Sequence, residues 1–307
     1  MSQKTPIEWT DRSSNPIRAR RKDNGKRGHA CIVHDPSCIN CYSQALNVWR
    51  GTGFKFDVPN LAKVDIILDE KELDKLRRLR GGKVFICDMT DLFGHWVPDS
   101  YLDAVFDALE SNPRITPQIL TKRTRRMQEY LSLRWGGSPP THIWVGTSVG
   151  VVQAIPRIDL LKLTPAAVRF ISFEPLIENL GTLNLQGIHW AIVGGESGHS
   201  RSVRPMHPDW ARQIRDDCRQ AGAAFFFKQF GAWMPITWRE AFDGKGAKKR
   251  SLTVGREGDS VYTQVGHLAG FRLPGEVCMI KVGKKAAGRV LDGQTWDEMP
   301  EVAPCVS

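Results

Sequence analysis

Cys31-Ile32-Val33-His34-Asp35-Pro36-Ser37-Cys38-Ile39-Asn40-Cys41-Tyr42 packs three cysteines into eleven residues, with six residues inside the first gap and two inside the second. Clustered thiolates ask for a metal, and three ligands leave one coordination position open. Two metals suit them. Zinc closes a four-ligand structural site, for which His29 or His34 is a candidate fourth ligand. A [4Fe-4S] cluster held by three cysteines leaves one iron free to bind a small molecule. Zinc ribbons pair two Cys-x-x-Cys hooks, and only one hook is present here. The cysteine run also follows the first expected strand, Ile7–Trp9, and that position ties it to the architecture of the chain.

Outward from this run, short apolar β-branched stretches alternate with amphipathic ones, the pattern of βαβ units and a parallel sheet. Strands are expected at Ile7–Trp9, Lys83–Cys87, Gln118–Leu120, Ile143–Gly146, Arg169–Phe173, Trp190–Val193 and Ala224–Phe227. Helices are expected over Tyr101–Ser111, Arg125–Leu133, around Val152–Leu161, and over Asp209–Ala221, which starts after His207-Pro208 and stops before Gly222. Polar residues recur just after the strands: Asp88, Thr90 and Asp91; Thr121, Lys122 and Arg123; Thr147 and Ser148; Glu174; Gly194 to Gly198; Lys228 and Gln229. In α/β sheets and βα barrels, sites form at the carboxyl ends of strands. The expected fold class is therefore α/β: a βα barrel, complete or partial, over residues 1–231. A basic C-terminal appendage over 232–307 is expected to pack on it, with Lys284, Lys285 and Arg289 near the barrel mouth.

Composition bounds the function. The 307 residues are 41% hydrophobic and 25% charged, which suits one large or two modest globular domains. No apolar run of about 18 residues exists, and the N-terminus lacks the apolar core of a signal peptide. Four further cysteines (Cys87, Cys218, Cys278, Cys305) bring the total to an odd seven, which argues for a reducing compartment and a cytoplasmic setting. A net charge of +10 and a pI near 9.4 favour an anionic partner, most often nucleic acid. The charge gathers in Arg18 to Arg27, Lys122 to Arg126, Lys245 to Arg250 and Lys281 to Arg289. A soluble protein that is merely basic is the plainer alternative, and Gly244 to Arg250 also suits a solvated loop.

A resemblance to a known family gathers these features. The motifs are Ile7-Glu8-Trp9-Thr10-Asp11 with Asn15-Pro16, the cysteine triple ending Cys41-Tyr42, Met89-Thr90-Asp91-Leu92-Phe93 and Leu120-Thr121-Lys122-Arg123. Further on come Phe173-Glu174-Pro175-Leu176, Val193-Gly194-Gly195-Glu196-Ser197-Gly198, Arg204-Pro205-Met206-His207-Pro208-Asp209-Trp210, Phe226-Phe227-Lys228-Gln229 and the Gly283–Trp296 tail. In this order they resemble the phage-type three-cysteine-motif proteins, a divergent group similar to radical S-adenosylmethionine (SAM) enzymes. The spacing departs from the radical SAM norm of three residues then two. Asn40 stands before the last cysteine where an aromatic is usual, and the basic insertion at Arg18 to Arg27 is longer than the family pattern.

The resemblance implies a [4Fe-4S] cluster on Cys31, Cys38 and Cys41, SAM bound at the open iron, and an electron donor as partner. It implies SAM contacts by Met89, Thr90 and Asp91 and by Ser148, with Gly194 and Gly195 allowing close backbone approach. Glu196, Lys122 and Lys228 are then the candidate catalytic residues, with Arg123, Glu174 and Ser197 toward substrate. Each has a plainer role available: a helix start for Asp91, a turn for Ser148 and for the glycine pair, a buried ion pair for Glu174. Some phage members resemble enzymes of thymine hypermodification. There a radical isomerase moves glycine from a nitrogen link to a carbon link on thymine in DNA, in the cytoplasm of the host. A zinc-containing nucleic-acid-binding protein, and a radical SAM enzyme acting on a free nucleotide, peptide or tRNA, stay open as alternatives.

Overall fold

The computed structural model describes residues 3–198, 202–236, 251–254, 260–261 and 276–301. The basic run Gly244 to Arg250 and Cys305 lie outside the described residues. Of the described residues, 3–148, 156–171 and 301 form one compact unit, and 149–155 with those from 172 to 300 form a second.

Strands of the first unit are β1 (Gln3–Lys4), β2 (Arg12–Ser14), β3 (Ile17–Arg21), β4 (Arg27–Gly28), β5 (Val64–Leu68), β6 (Gly82–Ile86), β7 (Ile115–Thr121), β8 (Trp144–Ser148) and most of β9 (Val168–Phe173). The second contains β10 (Trp190–Gly194) and β11 (Ala224–Gln229). The sheet runs in the order β1-β2-β6-β7-β8-β9-β10-β11. Pairs β2–β6, β6–β7, β7–β8 and β10–β11 are parallel, and β1 is antiparallel to β2. Strands that follow one another in space in chain order make this an α/β fold with an open βα half-barrel. Their apolar residues, among them Val84, Ile86, Ile119, Val145, Phe170 and Ile171, are almost wholly buried, as expected for a sheet covered on both faces.

Helices α1 (Tyr42–Arg50), α2 (Val58–Leu61), α3 (Glu70–Arg78), α4 (Asp99–Glu110), α5 (Thr124–Trp135) and α6 (Arg157–Lys162) belong to the first unit, and α7 (Pro208–Ala221) to the second. Helix α7 starts on a His207 side chain that accepts from Asp209 N and stops at Gly222 in the left-handed region. The expected helix around Val152–Leu161 is broken at Pro156 into a short 3₁₀ turn, Val152–Ala154, and α6.

One expectation needs correction. Ile7–Trp9 is a turn, not the first strand: Thr10 N donates to Ile7 O at 3.4 Å. Trp9 is drawn into the core against Phe85, with ring centroids 4.8 Å apart, and this burial holds the turn. The ladder with β6 begins only at the polar stretch Arg12–Ser14, where Arg12 pairs with Val84.

The basic insertion has a structural role. Strands β4, β3 and β5 form a separate antiparallel sheet around Ala19 and Val64. Arg20 reaches Asp65 at 3.5 Å, and Arg21 lies over the Phe54 ring at 4.3 Å. Buried Asn47 of α1 fastens the helix to this sheet. Its Oδ1 accepts from His29 N at 2.8 Å and Thr52 N at 3.2 Å, while its Nδ2 donates to Thr52 Oγ1 and Phe54 O. Each buried group left unpaired costs about 1–3 kcal/mol. Asn47→Ala is therefore expected to lower the unfolding free energy measured in urea by several kcal/mol, whereas Gln44→Ala, losing one bond to Phe56 N, loses far less.

In the second unit β12 (Trp233–Ile236), β13 (Ser251–Val254), β14 (Ser260–Val261) and β15 (Val277–Lys281) form an antiparallel sheet in the order β12-β15-β13-β14. The chain after it packs on α7 and β11: Asp292 accepts from Arg212 and Arg215, and Trp296 O accepts from Phe227 N at 2.9 Å. Among the described residues, no helix is long and apolar enough to cross a membrane.

Candidate functional site

The cysteine loop joins β4 to α1. Asp35 opens a 3₁₀ turn over Pro36–Cys38 by accepting from Ser37 N at 2.9 Å, and Cys41 is the N-cap of α1. A thiolate at Cys41 would face the positive end of that helix. All six described cysteines are free thiols. Burial first, then the Asp91 carboxylate, pushes the Cys31 thiol up to about 12, and Cys38 and Cys41 add to the shift while Arg123 opposes it. The three sulfurs thus share one electrostatic neighbourhood.

Among the described residues no three His, Cys, Asp or Glu side chains converge on a single point as one metal ion requires. A mononuclear zinc needs that convergence, with all ligands about 2.0–2.3 Å from one centre. A cubane presents a separate iron to each thiolate, so its ligands need not meet. Each histidine turns one ring nitrogen to a guanidinium, while His29 Nδ1 is buried with no hydrogen-bond partner among the described residues. His29 Nε2 lies 3.0 Å from Arg18 Nη1 and His34 Nδ1 lies 2.9 Å from Arg157 Nη2. Three thiols on one loop are a donor set that fits a cluster with one iron left open.

Two neighbouring segments hold the loop. The first follows β6, where Cys87 adopts a left-handed φ of 60° and donates N–H to Ser14 O at 2.8 Å. Asn15 clamps that turn from both sides: its Nδ2 donates to Asp88 Oδ1 at 2.5 Å and its Oδ1 accepts from Met89 N at 3.0 Å. Thr90 Oγ1 donates to Ala30 O at 2.5 Å, beside Cys31, and Tyr42 donates to Asp88 O at 2.8 Å. Burial raises the Asp88 carboxyl above its ordinary value, against the bonds it receives. Asp91 is a hub. Its carboxylate accepts from Thr121 Oγ1 at 2.6 Å, Phe93 N and Lys122 N at 3.0 Å, and pairs with Arg123 at 3.4 Å.

The second segment is the start of α6. Arg157 donates to Asp35 Oδ2 at 2.6 Å and to Ser148 O at 2.8 Å, so one guanidinium ties the cysteine loop to the end of β8. Burial works to raise the Asp35 carboxyl, but Lys122, the Ser37 and Arg157 hydrogen bonds and the Arg157 charge together hold it below the usual value. The Lys122 ammonium acts on Asp35 through its charge, while its backbone N–H donates to Asp91.

Met89, Thr90, Asp91, Ser148, Lys122 and Arg123 therefore lie on segments tied to the cysteine loop within the first unit. Asn15, Asp35 and Arg157 belong with them and were not singled out from sequence. Asn15 and Asp35 stood inside quoted motifs, whereas nothing in sequence marks Arg157, 122 residues from its partner.

Other candidates lie in the second unit. Glu174 accepts from Lys228 Nζ at 2.7 and 2.8 Å and from Gln229 Nε2 at 3.0 Å, so the ion pair foreseen for it is formed. Glu196 is buried, accepting from Arg204 N at 2.8 Å and from its guanidinium. The two glycines sit in close packing, tightest at the second. A Cβ on Gly194 would lie 3.1 Å from the Glu174 carboxyl carbon, and one on Gly195 only 2.1 Å from Phe230 O. Ser197 follows on the same loop.

The family model described as "Protein of unknown function (DUF5131)" matches residues 4–300. The chain belongs to this family. No curated protein matches it. Three solved structures of spore photoproduct lyase are similar to it. A cysteine-to-serine variant gives a TM-score of 0.44 at 11% identity over 94% of this chain and 72% of that one. A tyrosine-to-phenylalanine variant gives 0.42 at 12% identity over 86% and 71%. The complex with a dinucleoside spore photoproduct gives 0.39 at 12% identity over 72% and 64%, so the match spans under two thirds of that lyase.

Proposed function

We propose that this chain is an iron–sulfur enzyme of the radical SAM type that modifies nucleic acid, in its sharpest form isomerising a glycine-substituted thymine in DNA. The observation that carries the proposal is the cysteine loop itself: three free thiols on eleven residues, tied to the loops after β6 and β7 and to the end of β8. Cys31, Cys38 and Cys41 would hold the cluster, which, when bound together with SAM, supplies a one-electron route to a carbon radical.

The chain's own groups have separable tasks. Asp35 and Arg157 fix the loop, and Asn15 and Asp91 hold the backbone of Met89 and Lys122. The Lys122 ammonium and the Arg123 guanidinium offer positive charge to a carboxylate or phosphate. The net charge of +10 supports a polyanionic substrate, and a base attacked by a radical would have to leave the stack. In the second unit, Lys228 and Glu196 each keep a charged partner, which suits holding and orienting substrate better than free proton transfer.

The proposal is tested by anaerobic incubation with SAM, dithionite and phage-modified DNA. Formation of 5′-deoxyadenosine, with a changed nucleoside in the mass spectrum, is expected. Iron-loaded protein that leaves SAM intact contradicts it. Product from a free nucleoside, peptide or tRNA but not from DNA would keep the chemistry and change the substrate.

A further inference from the structure

Helix α1 is inside out. Its buried side chains are Ser43 and Asn47, while Tyr42, Leu46, Val48 and Trp49 face solvent, Trp49 being 66% exposed. Tyr42, Leu46 and Trp49 stand at i, i+4 and i+7, one stripe on the helix surface. The Asn47 hydrogen bonds explain the polar inner face, but they do not explain the apolar outer one. Polar residues would serve there equally well. The two aromatic residues lie two helical turns apart, about 10 Å along the axis. Both rings are steadied: Tyr42 Oη donates to Asp88 O at 2.8 Å, and the Arg50 guanidinium lies over the Trp49 ring at 3.7 Å.

Charge narrows what covers this face. From Ile17, where the small sheet begins, to Asp69 just past its end, nine lysines and arginines stand against five aspartates. The excess does not depend on the cut, since the first 80 residues hold sixteen basic side chains against ten acids. Asp23, Asp65 and Asp69 are taken by Arg21, Arg20 and Arg18, Asp35 by Arg157, and Asp57 caps α2 by accepting from Asn60 N. Lys22, Lys26, Arg27, Arg50, Lys55 and Lys63 make up the surplus. Lys22 donates to Ala62 O, Lys63 to Asn60 Oδ1, and Arg50 lies on Trp49, contacts to neutral groups that cancel no charge. Arg27 and Lys55 are placed beside α1 by their chain neighbours. Gly28 is pressed so close to Thr52 N and Asn47 that a Cβ would lie 2.3 Å from the former, and Phe56 N donates to Gln44 Oε1 at 2.9 Å.

Two copies of this chain meeting through the face would bring like charges together. Flat exposed rings beside cations suit an unpaired nucleic-acid strand, whose bases stack on the rings while its phosphates meet the cations. A duplex hides its base faces in its own stack and meets the cations alone. We infer that the exposed face of α1 is a stacking platform for unpaired nucleic acid, with Trp49 and Tyr42 each against a base and Arg27, Arg50 and Lys55 toward the phosphates. The inference rests on the action on nucleic acid proposed above and specifies the form of the substrate. Helix α1 begins at the residue after Cys41, so a strand laid along it starts at the cysteine loop. Taking a base out of a duplex costs stacking energy. Rings that receive the neighbouring bases offset that cost where the target base is presented.

The test measures binding of a fluorescein-labelled oligothymidylate, and of a duplex of the same length, to anaerobically reconstituted full-length protein at low and high salt. Trp49→Leu keeps an apolar side chain but removes the ring, and Trp49→Phe restores a ring. Leu133→Ser alters an exposed leucine on α5 as a control. Circular dichroism reads the fold, and iron and sulfide assays read the centre independently of binding. Expected is tighter binding of the strand than of the duplex, weakened by salt. Trp49→Leu should lose about tenfold in strand affinity, Trp49→Phe should recover most of it, and Leu133→Ser should lose none. Arg50→Gln with Lys55→Gln should flatten the salt dependence. A preference for duplex overturns the inference, as does a dimer that Trp49→Leu dissociates while strand binding stays intact. Iron-loaded protein whose strand binding ignores Trp49 overturns the platform and leaves the proposed chemistry standing. Strand binding that needs Trp49, in protein that holds no iron, supports the platform and overturns that chemistry.

Discussion

Alanine at any one of Cys31, Cys38 or Cys41 is expected to bring iron and acid-labile sulfide to background in anaerobically reconstituted protein and to stop SAM cleavage. The reason is coordination number. With three cysteines a cubane already has one iron without a protein ligand, and a second open iron leaves the cluster exposed to loss. Alanine at Cys218 or Cys278, both buried and away from the loop in sequence, is expected to leave iron content unchanged. Equal iron in all five variants would mean that the metal sits elsewhere or binds nonspecifically.

Arg157→Met is expected to have the largest effect on stability. The pair it makes with Asp35 at 2.6 Å is nearly buried, with 10% and 2% of the two side chains exposed. Removing one partner of such a pair costs about 3–5 kcal/mol, because the remaining charge stays buried and unpaired. Urea unfolding at neutral pH measures it. The sign of the pH dependence follows from Asp35, whose carboxyl is held below its ordinary value of 3.8 in the folded protein. The pair's contribution is complete above the ordinary value and is lost as the pH falls from there through the lower folded value. Above pH 5 the unaltered protein should exceed the variant by the full amount, and the two curves should converge in strong acid. A difference below about 1 kcal/mol at neutral pH would show an ion pair worth no more than an exposed one. The variant is also expected to load less iron, since the cysteine loop loses its tie to Ser148.

How far the fold could be read from sequence depended on which side chains carry each element. Strands β6 to β11 announce themselves because Val84, Ile119, Val145, Phe170, Ile192 and Phe226 sit in apolar runs. Strand β2 is hidden because Arg-Ser-Ser has no apolar signal and only its pairing with β6 makes it a strand. The conspicuous Ile7–Trp9 misled for the opposite reason, its tryptophan being wanted by the core. Helix α1 is illegible by periodicity because the pattern is inverted, with Ser43 and Asn47 inward and Leu46 and Trp49 outward. The basic insertion reads as a polyanion patch, yet Arg18, Arg20 and Arg21 are largely occupied with Asp69, Asp65 and Asp23.

At the candidate site, sequence located the cysteines and the strand-end residues through local motifs. It did not reveal the side chains that hold them, because those bonds are non-local. Asn15 reaches Asp88, Asp91 reaches Thr121, and Arg157 reaches back to Asp35. At Gly195 the backbone of Phe230 leaves no room for a Cβ, a close approach that local sequence does not reveal.

On the proposed function, the three cysteines hold a cluster with one iron open to SAM. Mössbauer spectroscopy of protein reconstituted with iron-57, recorded before and after SAM is added, tests it most directly. A four-iron spectrum is expected, in which SAM shifts the signal of a single iron and leaves the others unchanged. A spectrum indifferent to SAM, or a protein that takes up one zinc and no iron, would contradict it.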